Sequence, residues 1–127
     1  MISFSLTTRI VLTLSFMALL MLVSLIPGHP RPGDSVFIWL IANTPTLMQK
    51  VLHVCFYGVL VLLLAWTLEG IQPRIYRFLI ALIIAVAFGA VMEWCQTMVP
   101  GRFGTLHDVV LNAAGATLGL LAAAFFL

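Results

Sequence analysis

Three groups of polar residues in this 127-residue chain have the types and spacing to do chemistry. Lys50, His53 and Tyr57 follow i, i+3, i+7; Glu93, Gln96 and Pro100 repeat that spacing; Asp108, Asn112, Gly115 and Gly119 run i, i+4, i+7, i+11. On a helix each series lies along one stripe. Lys50 and Arg102 suit a phosphate or carboxylate, Arg102 in particular through its planar fork. Tyr57, Gln96 and Asn112 can orient neutral groups, and small residues at 115 and 119 make room. His53 with Glu93 or Asp108 has the make-up of an acid and base in a partly dry pocket.

Each of these residues also has a plainer role. Glu93 can pair with Lys50 or Arg102 and pin two helix ends together. His53 and Tyr57 can be hydrogen-bonded packing residues. Thr105-Leu106-His107-Asp108 matches a capping box, so Asp108 can do no more than satisfy backbone donors at a helix start, with His107 at the water interface. Asn112 lies one turn deeper and is not explained by capping. A carboxylate near a bilayer centre costs roughly 2.5 to 3.5 kcal/mol even on lenient scales. Glu93, about 7 Å inside its helix end, therefore requires a partner, a proton or water.

The elements that position these residues follow from composition. The chain is 63% hydrophobic and 8% charged, whereas soluble domains carry roughly 25% charged residues; its mean hydropathy is +1.19. The expectation is a single-domain, all-α integral membrane protein spanning residues 1–127, with about four transmembrane helices near 10–26, 51–68, 78–98 and 107–127 in an antiparallel bundle. For the first run a signal peptide is the rival reading, because Arg9 precedes it, but Pro27-Gly28-His29-Pro30 lacks an A-x-A-like cleavage site. Between the first two spans, Asp34 or Ser35 caps a short piece at 36–42. A helix that short reaches only about 10 Å against a ~30 Å core, so it lies at the interface with Trp39 at headgroup level.

Short links after the second and third spans force antiparallel neighbours. The start of the second helix, the end of the third and the start of the fourth then share one membrane face, and all three polar stripes fall there. Gly115-x-x-x-Gly119 permits close helix approach, with Ala81, Ala85 and Gly89 on the third span as a matching small-residue surface. Trp66 and Trp94 read as belt residues at opposite faces. Arg9, Arg74 and Arg77 tie in number with Arg31, Lys50 and Arg102. Setting Lys50 and Arg102 aside as members of the polar cluster favours cytoplasmic termini in a bacterial inner membrane.

The six basic and four acidic residues are scattered singly, which gives no nucleic-acid surface. Cys55 and Cys95 lie in apolar runs without metal-ligand spacing, so neither a metal nor a cofactor is expected. No nucleophile motif or phosphate loop is present.

Taken in order, these motifs resemble the VanZ-like family of small bacterial membrane proteins over residues 50–119. The matching elements are K-x-x-H-x-x-x-Y at Lys50, His53 and Tyr57, E-x-x-Q followed by P-G-R at Glu93, Gln96 and Pro100-Gly101-Arg102, and D-x-x-x-N-x-x-G at Asp108, Asn112 and Gly115. Members often carry an acid just before the motif lysine, where this chain has Gln49. The resemblance implies a multi-helix envelope protein, in a family whose founding member is associated with low-level teicoplanin resistance. The functional expectation is binding of an amphiphile, either a lipid-linked envelope precursor or a glycopeptide, at an outer-face polar pocket. An intramembrane enzyme and a structural assembly factor are the alternatives, and the oligomeric state is open.

Overall fold

A computed structural model describes residues 3–26 and 32–127. Pro27, Gly28, His29 and Pro30, on which the signal-peptide reading turned, lie outside them, as does Arg31 from the charge tally. Among the described residues five helices follow one another: α1 (Leu6–Ser24), α2 (Val36–Ala42), α3 (Thr46–Thr67), α4 (Arg74–Gln96) and α5 (Leu106–Phe126). Four of them, with 19, 22, 23 and 21 residues, are long and apolar enough to cross a bilayer. The fifth, α2, has 7 residues and is not.

Local chemistry fixes where each helix starts. Ser5 Oγ accepts from the Thr8 N–H at 3.1 Å, so α1 begins ahead of Arg9. Ser35, rather than Asp34, supplies the side-chain cap of α2, accepting from the Ile38 N–H at 3.3 Å. Pro45 and Pro73 stand immediately before α3 and α4, where a missing N–H costs nothing and a fixed φ already suits a helix. These helices therefore include polar first turns that lie outside the apolar runs.

The spans alternate in direction, and α3 is the helix the others share. The N-terminal end of α1 meets the C-terminal end of α3: Thr13 and Thr67 hydroxyls are 2.7 Å apart, and Arg9 pairs with Glu69 and lies over the Trp66 ring. At the same end, Arg74 donates to the Ala123 carbonyl at 3.3 Å and to that of Ala124, while Arg77 donates to the Leu127 carbonyl. The Ala124 and Leu127 carbonyls are among those that a helix C-terminus leaves without intrahelical donors, whereas that of Ala123 also accepts from the Leu127 N–H. Local engagement, the reason for setting Lys50 and Arg102 aside, therefore holds for Arg9, Arg74 and Arg77 as well.

The closest approach is between α3 and α5, not between α4 and α5. A Cβ built on Gly115 would stand 2.3 Å from the Val54 carbonyl oxygen, and one on Gly119 2.3 Å from that of Gly58. Gly115 and Gly119 accordingly seat on the α3 backbone around Gly58, which corrects the expected pairing with the Ala81, Ala85, Gly89 stripe. That stripe is buried too, but Gly89 makes room for the Tyr57 ring and the Asn112 side chain. Between membrane helices lipid supplies no hydrophobic drive, so backbone proximity of this kind is what sets the register.

Candidate functional site

Helix register brings His53, Glu93 and Asn112 together from three different helices. His53 Nδ1 is 2.6 Å from Asn112 Oδ1 and 3.6 Å from Glu93 Oε1. The Asn112 amide nitrogen donates to Glu93 Oε1 at 3.4 Å. With the amide so oriented, Oδ1 faces the imidazole, and Nδ1 must carry a proton to make the short contact. In the neutral imidazole the second ring nitrogen, Nε2, is then the one with a lone pair. Tyr57 stacks parallel to His53 at a centroid distance of 6.5 Å and packs against Phe88.

Asn112 and Glu93 are 1% and 3% exposed, so this cluster belongs to the bundle interior. Glu93 Oε2 is buried and has no hydrogen-bond partner among the described residues. Neither Lys50 nor Arg102 forms an ion pair with Glu93. Of the two readings for Glu93, the structure shows contacts to His53 and Asn112 rather than the alternative pairing with Lys50 or Arg102.

Toward the membrane face the cluster opens into a polar cleft of about 500 Å³. Lys50, His53, Gln96, Arg102, His107 and Asp108 contribute to its wall, a size within the range of ligand pockets. Lys50 makes no ion pair among the described residues. Arg102 donates its Nε–H to the Ile26 carbonyl at 2.8 Å. Burial pushes the Arg102 guanidinium below its ordinary range, an effect that the nearby Glu93 charge opposes. It stays charged all the same. Asp108 is held in the capping arrangement: the Thr105 hydroxyl accepts from the Asp108 N–H at 3.1 Å and donates to its carboxylate at 3.0 Å.

A second cavity, of about 360 Å³, adjoins the cleft on the α1 and α2 side. Leu20, Val23, Phe37, Ile41, Leu52 and Phe56 give it an apolar wall, and Tyr57 borders it as well. Gln49, His53, Gln96 and Arg102 line both cavities.

Of the residues singled out by spacing, Lys50, His53, Gln96, Arg102 and Asp108 therefore border the cleft, and Glu93 and Asn112 lie behind His53. Gly89, Gly115 and Gly119 are packing positions. Spacing did not single out Gly58 or Gly104, nor did it give Gln49 and Thr105 a place at the site. A Cβ at Gly104 would fall 1.9 Å from the Glu93 carbonyl oxygen, so the α4–α5 link lies directly on the end of α4. Its signal was the second glycine in the run Pro100-Gly101-Arg102-Phe103-Gly104. Among the described residues no group of three or more His, Cys, Asp and Glu side chains is placed to hold a metal ion.

A family model described as VanZ/LLP1 matches residues 2–127. No curated protein and no solved structure matches the chain.

Proposed function

The chain belongs to the VanZ/LLP1 family, and from that premise we propose that this multi-pass integral membrane protein binds the anionic head of an amphiphilic envelope ligand in the cleft formed by α3, α4 and α5. The observation that carries the reading is a pair of cations, Lys50 and Arg102, that both line the cleft and have no ion-pair partner among the described residues. A cation withdrawn from bulk water without a counter-charge is unfavourable, and a phosphate or carboxylate supplies one through charge-assisted hydrogen bonds. Gln96 and His53 add polar groups beside it. With cytoplasmic termini the cleft faces outward, where lipid-linked precursors and glycopeptides are met.

Native mass spectrometry of protein extracted with its surrounding lipid tests this. Lys50→Ala and Arg102→Ala are each expected to weaken retention of an anionic amphiphile about tenfold to a hundredfold, the equivalent of one charge-assisted contact of ~1.5–3 kcal/mol. Added salt should narrow the difference, because charges near water are screened. Folded variants that keep every lipid of the wild type would remove the proposal. A role in teicoplanin resistance is its cellular form: deletion then changes teicoplanin susceptibility, and Arg102→Ala fails to restore it.

A second reading, an acid–base reaction on the bound head group, is favoured by one observation, the short contact between His53 Nδ1 and Asn112 Oδ1. It orients the imidazole with Nε2 as the available base. On this reading a polyprenyl-phosphate substrate turns over in the wild type, and His53→Ala lowers the rate at least ~100-fold, the usual contribution of general acid–base catalysis. His53→Ala that leaves retention intact, with no product from either protein across a broad substrate panel, leaves binding alone.

A further inference from the structure

We infer that the apolar cavity between α1, α2 and α3 houses the hydrocarbon chain of the same ligand whose anionic head occupies the cleft, so that the site takes a chain-bearing phosphate or carboxylate rather than a water-soluble anion. This rests on the head-group reading above. Three observations lead to it.

The two cavities are continuous in their walls. Gln49, His53, Gln96 and Arg102 border both, so a molecule anchored on Arg102 has its next atoms at the mouth of the apolar chamber. Their linings also differ in kind: one is built mainly of cations, imidazoles, amides and hydroxyls with the Asp108 carboxylate held in its helix cap, the other mainly of Leu, Val, Ile and Phe side chains. An amphiphile has that same division within one molecule, and a hydrophilic anion does not. Finally, the wall away from α3 comes from α1 and from the short α2, through Leu20 and Val23 on one and Phe37 and Ile41 on the other. The amphipathic Arg102 bridges these parts, its Nε–H held by the Ile26 carbonyl just past α1 and its charge in the cleft. A chain lying there exchanges one apolar surrounding for another, so the gain comes from close packing and from delivering the head group to the cations.

The proposal gives α2 a job. It is too short to cross the bilayer, yet two of its large side chains, Phe37 and Ile41, line the chamber.

The test uses the full-length protein in nanodiscs of neutral phosphatidylcholine, with hexadecyl phosphate carrying a photoreactive diazirine on its chain. Cross-links located by peptide sequencing are expected on chamber residues such as Leu20, Phe37, Leu52 and Phe56, enriched about tenfold over lipid-facing Leu118 and Leu121. Unlabelled hexadecyl phosphate should compete, whereas hexadecanol, which has the tail without the charge, should not. Leu52→Trp fills the chamber and is expected to lower chamber cross-linking about tenfold; Val23→Trp enters from the opposite wall and serves if Leu52→Trp does not fold. Probe retention that depends on Lys50 and Arg102, with cross-links spread evenly over lipid-facing positions, overturns the chamber and leaves the head-group site standing. Retention indifferent to Lys50→Ala and Arg102→Ala overturns the head-group reading itself.

Discussion

Gly115→Ala is expected to cost about 2 kcal/mol or more of helix–helix stability and to loosen the whole polar cluster, read as a lowered melting temperature in mild detergent. Two effects oppose each other. Alanine is the better helix former by ~0.8–1 kcal/mol, but its methyl would stand 2.3 Å from the Val54 carbonyl oxygen and 2.7 Å from the Val54 Cα. Both are backbone atoms and cannot swing aside, so α5 must move away from α3. Overpacking of this kind costs roughly 1–3 kcal/mol even where neighbours can repack. Because His53 sits on α3 and Asn112 on α5, the same displacement opens the 2.6 Å contact between them. Gly119→Ala should behave alike, with its methyl meeting Gly58. An unchanged melting temperature in both variants would mean that the helices are not in this register.

The second large effect is expected at Asn112. Asn112→Ala removes at once the partner of His53 and the donor to Glu93. An interhelical hydrogen bond in a membrane contributes on average ~0.6 and at most about 1.7 kcal/mol. Leaving a buried carboxylate short of a hydrogen bond costs more, roughly 1–3 kcal/mol and above that range for a charged group. The expected loss is therefore about 3 kcal/mol in the wild type, falling to the ordinary hydrogen-bond range in a Glu93→Gln background, since a neutral amide at 93 tolerates isolation better. The double-mutant cycle, measured by melting in detergent, isolates that coupling. Equal losses in both backgrounds would show that Glu93 does not lean on Asn112. If the cycle shows strong coupling while lipid retention in the folded single variants is untouched, the cluster is a helix staple and the assembly reading gains.

Much of this arrangement was legible in the sequence because hydropathy alone selects lipid as the solvent. Four apolar runs and short links left little topological choice, and the three stripes on α3, α4 and α5 could be assigned to one face from chain direction. Helix rotation was not legible. For Glu93 a pairing with Lys50 or Arg102 was one alternative, because opposite charges attract, but its contacts in the interior are to the neutral Asn112 and to His53. The partner of Gly115 and Gly119 was misjudged for a related reason. Small residues occur on both α3 and α4, and one glycine, Gly58, allows a closer approach than a stripe of alanines. The apolar chamber was illegible altogether: its walls come from α1, α2 and α3, and no spacing within one segment encodes how separate segments enclose a space. Gly104 carried a weak signal, since a second glycine in a short link is ordinary turn chemistry until the carbonyl it abuts is known.

The position of α1 bears on the order of assembly. Its described side-chain hydrogen bonds to other helices reach Leu63, Trp66, Thr67 and Glu69 at one end, while just past its other end Ile26 accepts from Arg102. Synthesis proceeds from the N-terminus, so α1 finds these partners only after the chain has grown by dozens of residues beyond it. Arg102 arrives with the last hairpin, after α4 has been made. Of the five described helices, the one made before the others is thus among the last to be fixed in place, and the lining of the chamber is complete only once the α4–α5 link exists.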